Sequence, residues 1–351
     1  MNPNMAYYAL ETKVTTKKSR ILDQKYWEKM FESTSLEQLA DLLKNNIEFG
    51  KAFEDVDVNK SERVSLETVL SRFRKIEIEN LLHYFSGAYK EFIKTFLMQE
   101  EINDLSLIIR MLSKGESLEG IKDRFVHSNL FTTLDFDDLI TVKNIEQLIK
   151  KLKGTIYYNG LRNLTREDAL NRDFHIEMKL HVVLYNTLFD AAEKLSKEDM
   201  RAAKDIIGLK IDLLNIQWIY RASKYYNILP EEIFIYSLEG GRKINNDKLR
   251  KLCYSKSHDE FRKLTKIYME DDIFKGLNDA EIDINVVIGS YMFNYLRNKS
   301  YHNIGSTISF IYLLDIIIND LTSLTEGIQY NVSKYKLLGY LAYKIYEGRR
   351  L

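Results

Sequence analysis

Ile207-Gly208-Leu209-Lys210-Ile211-Asp212-Leu213-Leu214-Asn215-Ile216, with Arg221 beyond, has the apolar spacing of a buried helix. Two of its polar residues, Asp212 and Asn215, are three apart and so share one face. A related stretch lies 111 positions earlier: Glu101-Ile102-Asn103-Asp104-Leu105, then Ile108 and Arg110. In that register Glu101 answers Asp212, Asp104 answers Asn215 and Arg110 answers Arg221. A third candidate is Asn319-Asp320-Leu321, with Leu324 and Gly327. Three such helices in one chain point to a repeated unit.

Other elements recur around these signature helices. Leu36-Glu37-Gln38-Leu39 through Lys44 aligns without gaps with Ile145-Glu146-Gln147-Leu148 through Lys153, at an offset of 109. Ser35 and Asn144 precede them as N-caps. Ile47 and Phe49 match Ile156 and Tyr158, and Ser257 through Leu264 forms a weaker third copy. The short and signature helices are separated by 68, 70 and 62 residues in the three copies. A closing helix is expected from Ser117, from Pro230 and from Ser333, which are all residues suited to a helix start. Longer amphipathic helices are expected over residues 66–85, 174–195 and 282–296. Each unit is thus a short helix, a long helix, a signature helix and a closing helix. The units span residues 1–126, 127–241 and 242–351, and the Gly240-Gly241 pair reads as a linker between the last two. No stretch alternates apolar and polar residues long enough to make a sheet. The fold is expected to be all-α, with pseudo-threefold repetition.

Composition narrows the function. Two prolines in 351 residues leave long helices uninterrupted. Lys+Arg and Asp+Glu both number 51, so there is no basic excess for general nucleic-acid binding. The single cysteine, Cys253, excludes an intrachain disulfide and suits a reducing compartment. No secretory signal is expected at the amino terminus. The most apolar window, residues 304–324, is interrupted by Asp315, Asn319 and Asp320. It reads as a buried helix and not as a membrane span. His175 and His181 miss the spacing of a helical metal pair, no P-loop is present, and neither metal, cofactor nor catalytic residue is expected. Lys17, Lys18, Arg20, Arg349 and Arg350 make the terminal segments basic, which reads as ordinary surface charge ahead of the alternative, a membrane-side electrostatic role.

The residues resemble a known family, the C subunits of bacterial and archaeal V-type ATPases, known as d in the eukaryotic ones. The resemblance is carried by Phe174-His175-Ile176-Glu177-Met178 running on to the second signature helix, by Gly240-Gly241, by Tyr7-Tyr8-Ala9 with Lys18-Ser19-Arg20-Ile21-Leu22, and by the helix from Ser309 to Gly327. The third signature helix departs from the pattern at Ile317, where an acidic residue is expected, and at Glu326, where the earlier copies have arginine. The resemblance implies three units closing into a funnel-like socket for the foot of a central rotor shaft. The other end would rest on a membrane ring of proteolipid subunits. The protein would be cytoplasmic, peripheral to the membrane, and would transmit torque without chemistry of its own. On that reading Glu101, Asp104, Arg110, Asp212, Asn215, Arg221, Asn319 and Asp320 are candidates to line the socket. The competing reading of these residues is a solvated face or a polar network that holds the units together.

Two other functions fit an all-α chain of this length. A class I terpene cyclase would use Asp135-Phe136-Asp137-Asp138 and Asn319-Asp320 as magnesium ligands, but Gly327 stands where the last ligand of the second motif should be. A generic helical-repeat scaffold would instead form an open solenoid with a concave groove.

Overall fold

The structure, a computed structural model, describes residues 3–54, 63–171, 173–226, 228–275, 277 and 283–343. Among the described residues the only regular secondary structure is helical. The chain forms two compact units, one of Met1–Arg74, Ser196–Phe234 and Glu239–Leu351, the other of Lys75–Leu195 and Ile235–Leu238.

The short helices start where their caps dictate. Leu36–Lys44 begins after Ser35, whose hydroxyl accepts the Gln38 N–H at 3.2 Å, while the Gln38 side chain accepts the Thr34 N–H at 2.9 Å. Ile145–Lys151 repeats this with Asn144, Gln147 and Lys143, both bonds being 2.9 Å. His258–Met269 repeats it again with Ser257, Glu260 and Lys256, at 3.2 and 2.7 Å. Such reciprocal capping satisfies amide donors that the first helical turn leaves unbonded.

In the first unit the second signature helix, Lys197–Arg221, packs against the third, Ile304–Gln329. Ile206, Ile207, Ile211, Leu213, Ile216 and Trp218 are buried on one, and Ile308, Ile311, Leu314, Ile317, Leu321 and Leu324 on the other. Ile304–Gln329 is long and apolar enough to cross a membrane, but 83% of its most apolar window is buried. A helix that is apolar nearly all round belongs in a core. The N-terminal helix Pro3–Ile21 and the short helix Leu36–Lys44 pack on it too. Trp27, fully buried, donates to the Ile21 carbonyl at 2.8 Å and lies 5.2 Å from the Tyr343 ring. Tyr343 in turn donates its hydroxyl to the Leu22 carbonyl at 3.0 Å. Segments from the beginning and the end of the chain therefore share the core of the first unit.

In the second unit the first signature helix, Met98–Lys114, packs against Arg166–Asn171, Asp173–Ala192 and Ile145–Lys151. The long helices fall close to their expected places, at Arg63–Leu82, Asp173–Ala192 and Ile284–Asn298, although Ile282 lies outside the described residues. The closing helix after Ser117 does not form: only one 3₁₀ turn, Ile121–Arg124, is present. Gly120 adopts φ +73°, a left-handed conformation that breaks an α-helix at that point. Pro230–Tyr236 and Lys334–Leu338 do form. Removing a cap oxygen leaves amide donors without their partner. Ser35→Ala, Asn144→Ala and Ser257→Ala are each expected to cost about 1 kcal/mol in urea denaturation, with Ser35→Gly losing less.

Candidate functional site

Each signature helix carries an aspartate whose carboxylate accepts two consecutive backbone N–H groups from a later segment. Asp104 accepts the N–H of Val126 at 2.9 Å, the N–H of His127 at 2.8 Å, and a 2.7 Å bond with His127 Nδ1. Asp212 accepts the N–H groups of Lys243 and Ile244 at 2.8 and 3.1 Å. Asp320 accepts those of Ala342 and Tyr343 at 2.8 and 2.7 Å. None of the three is more than 3% exposed. Burying a carboxylate is costly unless it is hydrogen-bonded, and two charge-assisted bonds from consecutive amides offset that cost. Burial pushes the Asp212 carboxyl up to about 6, against the opposing pull of the Lys243 and Ile244 amides.

These bonds correct the repeat register. Asp104, Asp212 and Asp320 lie 108 residues apart at both steps, so Asp212, and not Asn215, is the counterpart of Asp104. A slip of three residues keeps the same helix face and the same apolar spacing, so only the bonding partners separate the two registers. The glycine pair has a role beyond linking. A Cβ on Gly241 would collide with Asp212 Oδ1 and lie 2.7 Å from the Ile244 carbonyl oxygen, and Gly240 has φ +87°. The Arg242 N–H meanwhile donates to the Gly208 carbonyl at 3.2 Å. The pair lets the chain lie directly on the second signature helix.

Glu101 is also satisfied internally, by the Thr133 amide and hydroxyl and by the Tyr157 hydroxyl at 2.8 Å. Its counterparts at 108-residue steps are Leu209 and Ile317, so this second anchor exists only in the first repeat.

The third signature helix leaves one polar stripe uncovered: Asp315, Asn319, Thr322, Ser323, Glu326 and Tyr330. The stripe lines a cavity of about 630 Å³ in the first unit, shared with Lys210 and Gln217 of the second signature helix and with Asn285, Ile288 and Met292. Arg74 pairs with Asp315, and Arg63 bridges Glu67 at 2.7 Å and Glu326 at 3.1 Å. Burial holds the Lys210 ammonium below its ordinary range, with Asp315 pulling it back up. A family model described as ATP synthase (C/AC39) subunit matches residues 10–340. The chain belongs to that family.

Among its relatives is the C subunit of the A-type ATP synthase of Methanosarcina acetivorans, 24% identical over 316 residues, covering 90% of this chain and 85% of the relative. The same subunit of Methanosarcina mazei is 23% identical over 317 residues, with the same coverage of 90% and 85%. That of Archaeoglobus fulgidus is 28% identical over 207 residues, 58% of each chain. The ATP synthase (C/AC39) family consists of structural, non-catalytic subunits, so this chain is a component of a rotary ATPase and of a membrane-associated complex.

In this family member the eight candidate residues divide by burial. Glu101, Asp104, Asp212, Asn215 and Asp320 are buried, Arg221 is half-buried, and Arg110 and Asn319 are exposed. Arg221 ends its helix just before a π-helical turn, Ala222–Tyr226. Of the terminal basic residues, Lys17 and Arg20 converge on the buried Glu48 at 2.8 and 3.1 Å, and burial pushes the Lys18 ammonium down to about 8. Arg349 and Arg350 lie outside the described residues. The Asp-rich run is used locally: Asp135 caps Phe136–Leu139, Asp137 pairs with Lys122 and Asp138 with Lys151. Among the described residues no three His, Cys, Asp or Glu side chains group as metal ligands.

The raised Asp212 carboxyl makes stability depend on pH. A group that binds its proton more tightly in the folded chain adds stability that is full below about pH 4. That contribution is lost as pH rises through about 6. Between pH 5 and pH 7 the urea midpoint of the wild type is expected to fall more than that of Asp212→Asn. Equal falls would show that Asp212 titrates normally.

Proposed function

We propose that this chain is the central-stalk coupling subunit of a V/A-type rotary ATPase, a reading supported by its relatives, the C subunits of A-type ATP synthases. Its three repeats, residues 1–126, 127–241 and 242–351, close into a socket that receives the foot of the rotor shaft. The far side of the socket rests on the membrane proteolipid ring from the cytoplasm. Torque passes through the body without chemistry, because close-packed helices resist deformation.

The observation that carries this reading is the meeting of the first and last repeats. Pro3–Ile21 and Leu36–Lys44 lie against Ile304–Gln329, and Tyr343 bonds to Leu22. An open solenoid keeps its terminal repeats apart, each touching only its neighbour. Closure brings them together. In this reading the buried aspartates hold the signature helices in place, while Arg110, Arg221 and Asn319 face the shaft.

A tagged copy of the chain, recovered from detergent-solubilised membranes, is expected to bring down the catalytic, shaft and proteolipid subunits of the ATPase. Arg110→Glu and Asn319→Lys are expected to reduce the recovered shaft about fivefold or more, with helicity by circular dichroism unchanged. Recovery without any ATPase subunit would refute the reading.

A further inference from the structure

We infer that the groove along the third signature helix takes a helical segment of the rotor shaft through an arginine or lysine side chain, recognised by Glu326 and Asp283 together with the rings of Tyr330 and Tyr340. This rests on the coupling-subunit reading and names the chemistry of one of its contacts.

Shape, charge and aromatic lining converge on this partner. The uncovered stripe runs from Asp315 to Tyr330, about 22 Å at the helical rise. That is long enough for three to four turns of a second helix. The floor is apolar, formed by Ile288, Met292 and Leu337. Tyr330 and Tyr340 are both exposed at the same cavity, as is about half of the Glu326 side chain. Carboxylates beside open aromatic faces suit guanidinium or ammonium groups, which gain from both.

The balance of charge is negative. Lys210 and Arg74 more than match Asp315, but they sit at one end. Arg63 is shared between two carboxylates, Glu67 and Glu326, and burial with the Glu326 charge raises the Glu67 carboxyl even so. Asp283 serves as an N-cap, accepting the Asn285 N–H at 2.9 Å. Asp320 being turned inward onto the Ala342 and Tyr343 amides, the described residues of the lining and their ion-pair partners set three cations (Lys210, Arg63 and Arg74) against four carboxylates (Asp283, Asp315, Glu326 and Glu67).

The sign is particular to this repeat. The residue 216 positions before Glu326 is Arg110, so the corresponding place on the first signature helix is basic. A shaft helix whose charge suits one face is repelled by the other.

The test measures binding of the purified shaft subunit to the full chain at several salt concentrations. Glu326→Lys is expected to weaken binding about tenfold and Tyr330→Ala about threefold, with a shallower salt dependence for the first. Glu91→Lys, a charge reversal on an exposed residue of the other unit, is expected to leave binding unchanged. A benzophenone amino acid at position 330 is expected to cross-link a shaft peptide containing arginine or lysine. Undiminished binding by both Glu326→Lys and Tyr330→Ala would overturn the groove and leave the coupling reading standing. Cross-linking to a ring subunit or to a second copy of this chain would overturn the occupant. Failure of the wild type to bind the shaft would overturn both.

Discussion

A carboxylate buried on a helix, facing two consecutive backbone amides from a segment far along the chain, constrains three things together. It needs both donors, because a buried charge without partners is costly. The donors need it, because their segment is not in a helix and has few other acceptors to offer. The chain between the helix and those donors must then turn back by a fixed path. At Asp104, Asp212 and Asp320 this happens three times, 108 residues apart. The repeat is thus defined less by its apolar pattern than by where each signature helix fastens the chain that leaves it.

From that fastening follows the division of labour on the signature helices. The aspartate faces are inward and satisfied. What stays exposed lies a few residues away, at Arg110 on the first helix and at Asn319 and Glu326 on the third. The third fastening has a further consequence. It holds Tyr343 against Trp27 and the Leu22 carbonyl, which ties the end of the chain to its beginning. Arg63 with Glu326 and Arg74 with Asp315 add polar contacts between the same two regions.

Much of the fold was legible in the sequence because its signals are local. Caps at Ser35, Asn144 and Ser257 and apolar spacing in the signature helices act within one or two turns. The first closing helix failed because a single left-handed glycine, Gly120, outweighs an otherwise helical pattern. The site was harder to read. Asp212 and Asn215 share a face, so the pattern could not tell which one answers Asp104; the deciding amides, Lys243 and Ile244, lie about thirty residues away. The Gly240-Gly241 pair did carry that information, as a place where backbone must approach closely, but reads equally well as a linker. The cavity left no sequence trace, since its walls come from helices whose pairing, as with Arg74 and Asp315, spans most of the chain.

The most direct measurement is amide hydrogen exchange at Val126, His127, Lys243, Ile244, Ala342 and Tyr343, read residue by residue. If the three aspartates fasten the repeats, all six amides exchange as slowly as the buried centres of the signature helices, and Asp320→Ala releases Ala342 and Tyr343 while the other four stay protected. Six amides exchanging at the rate of exposed turns in the wild type would contradict the account.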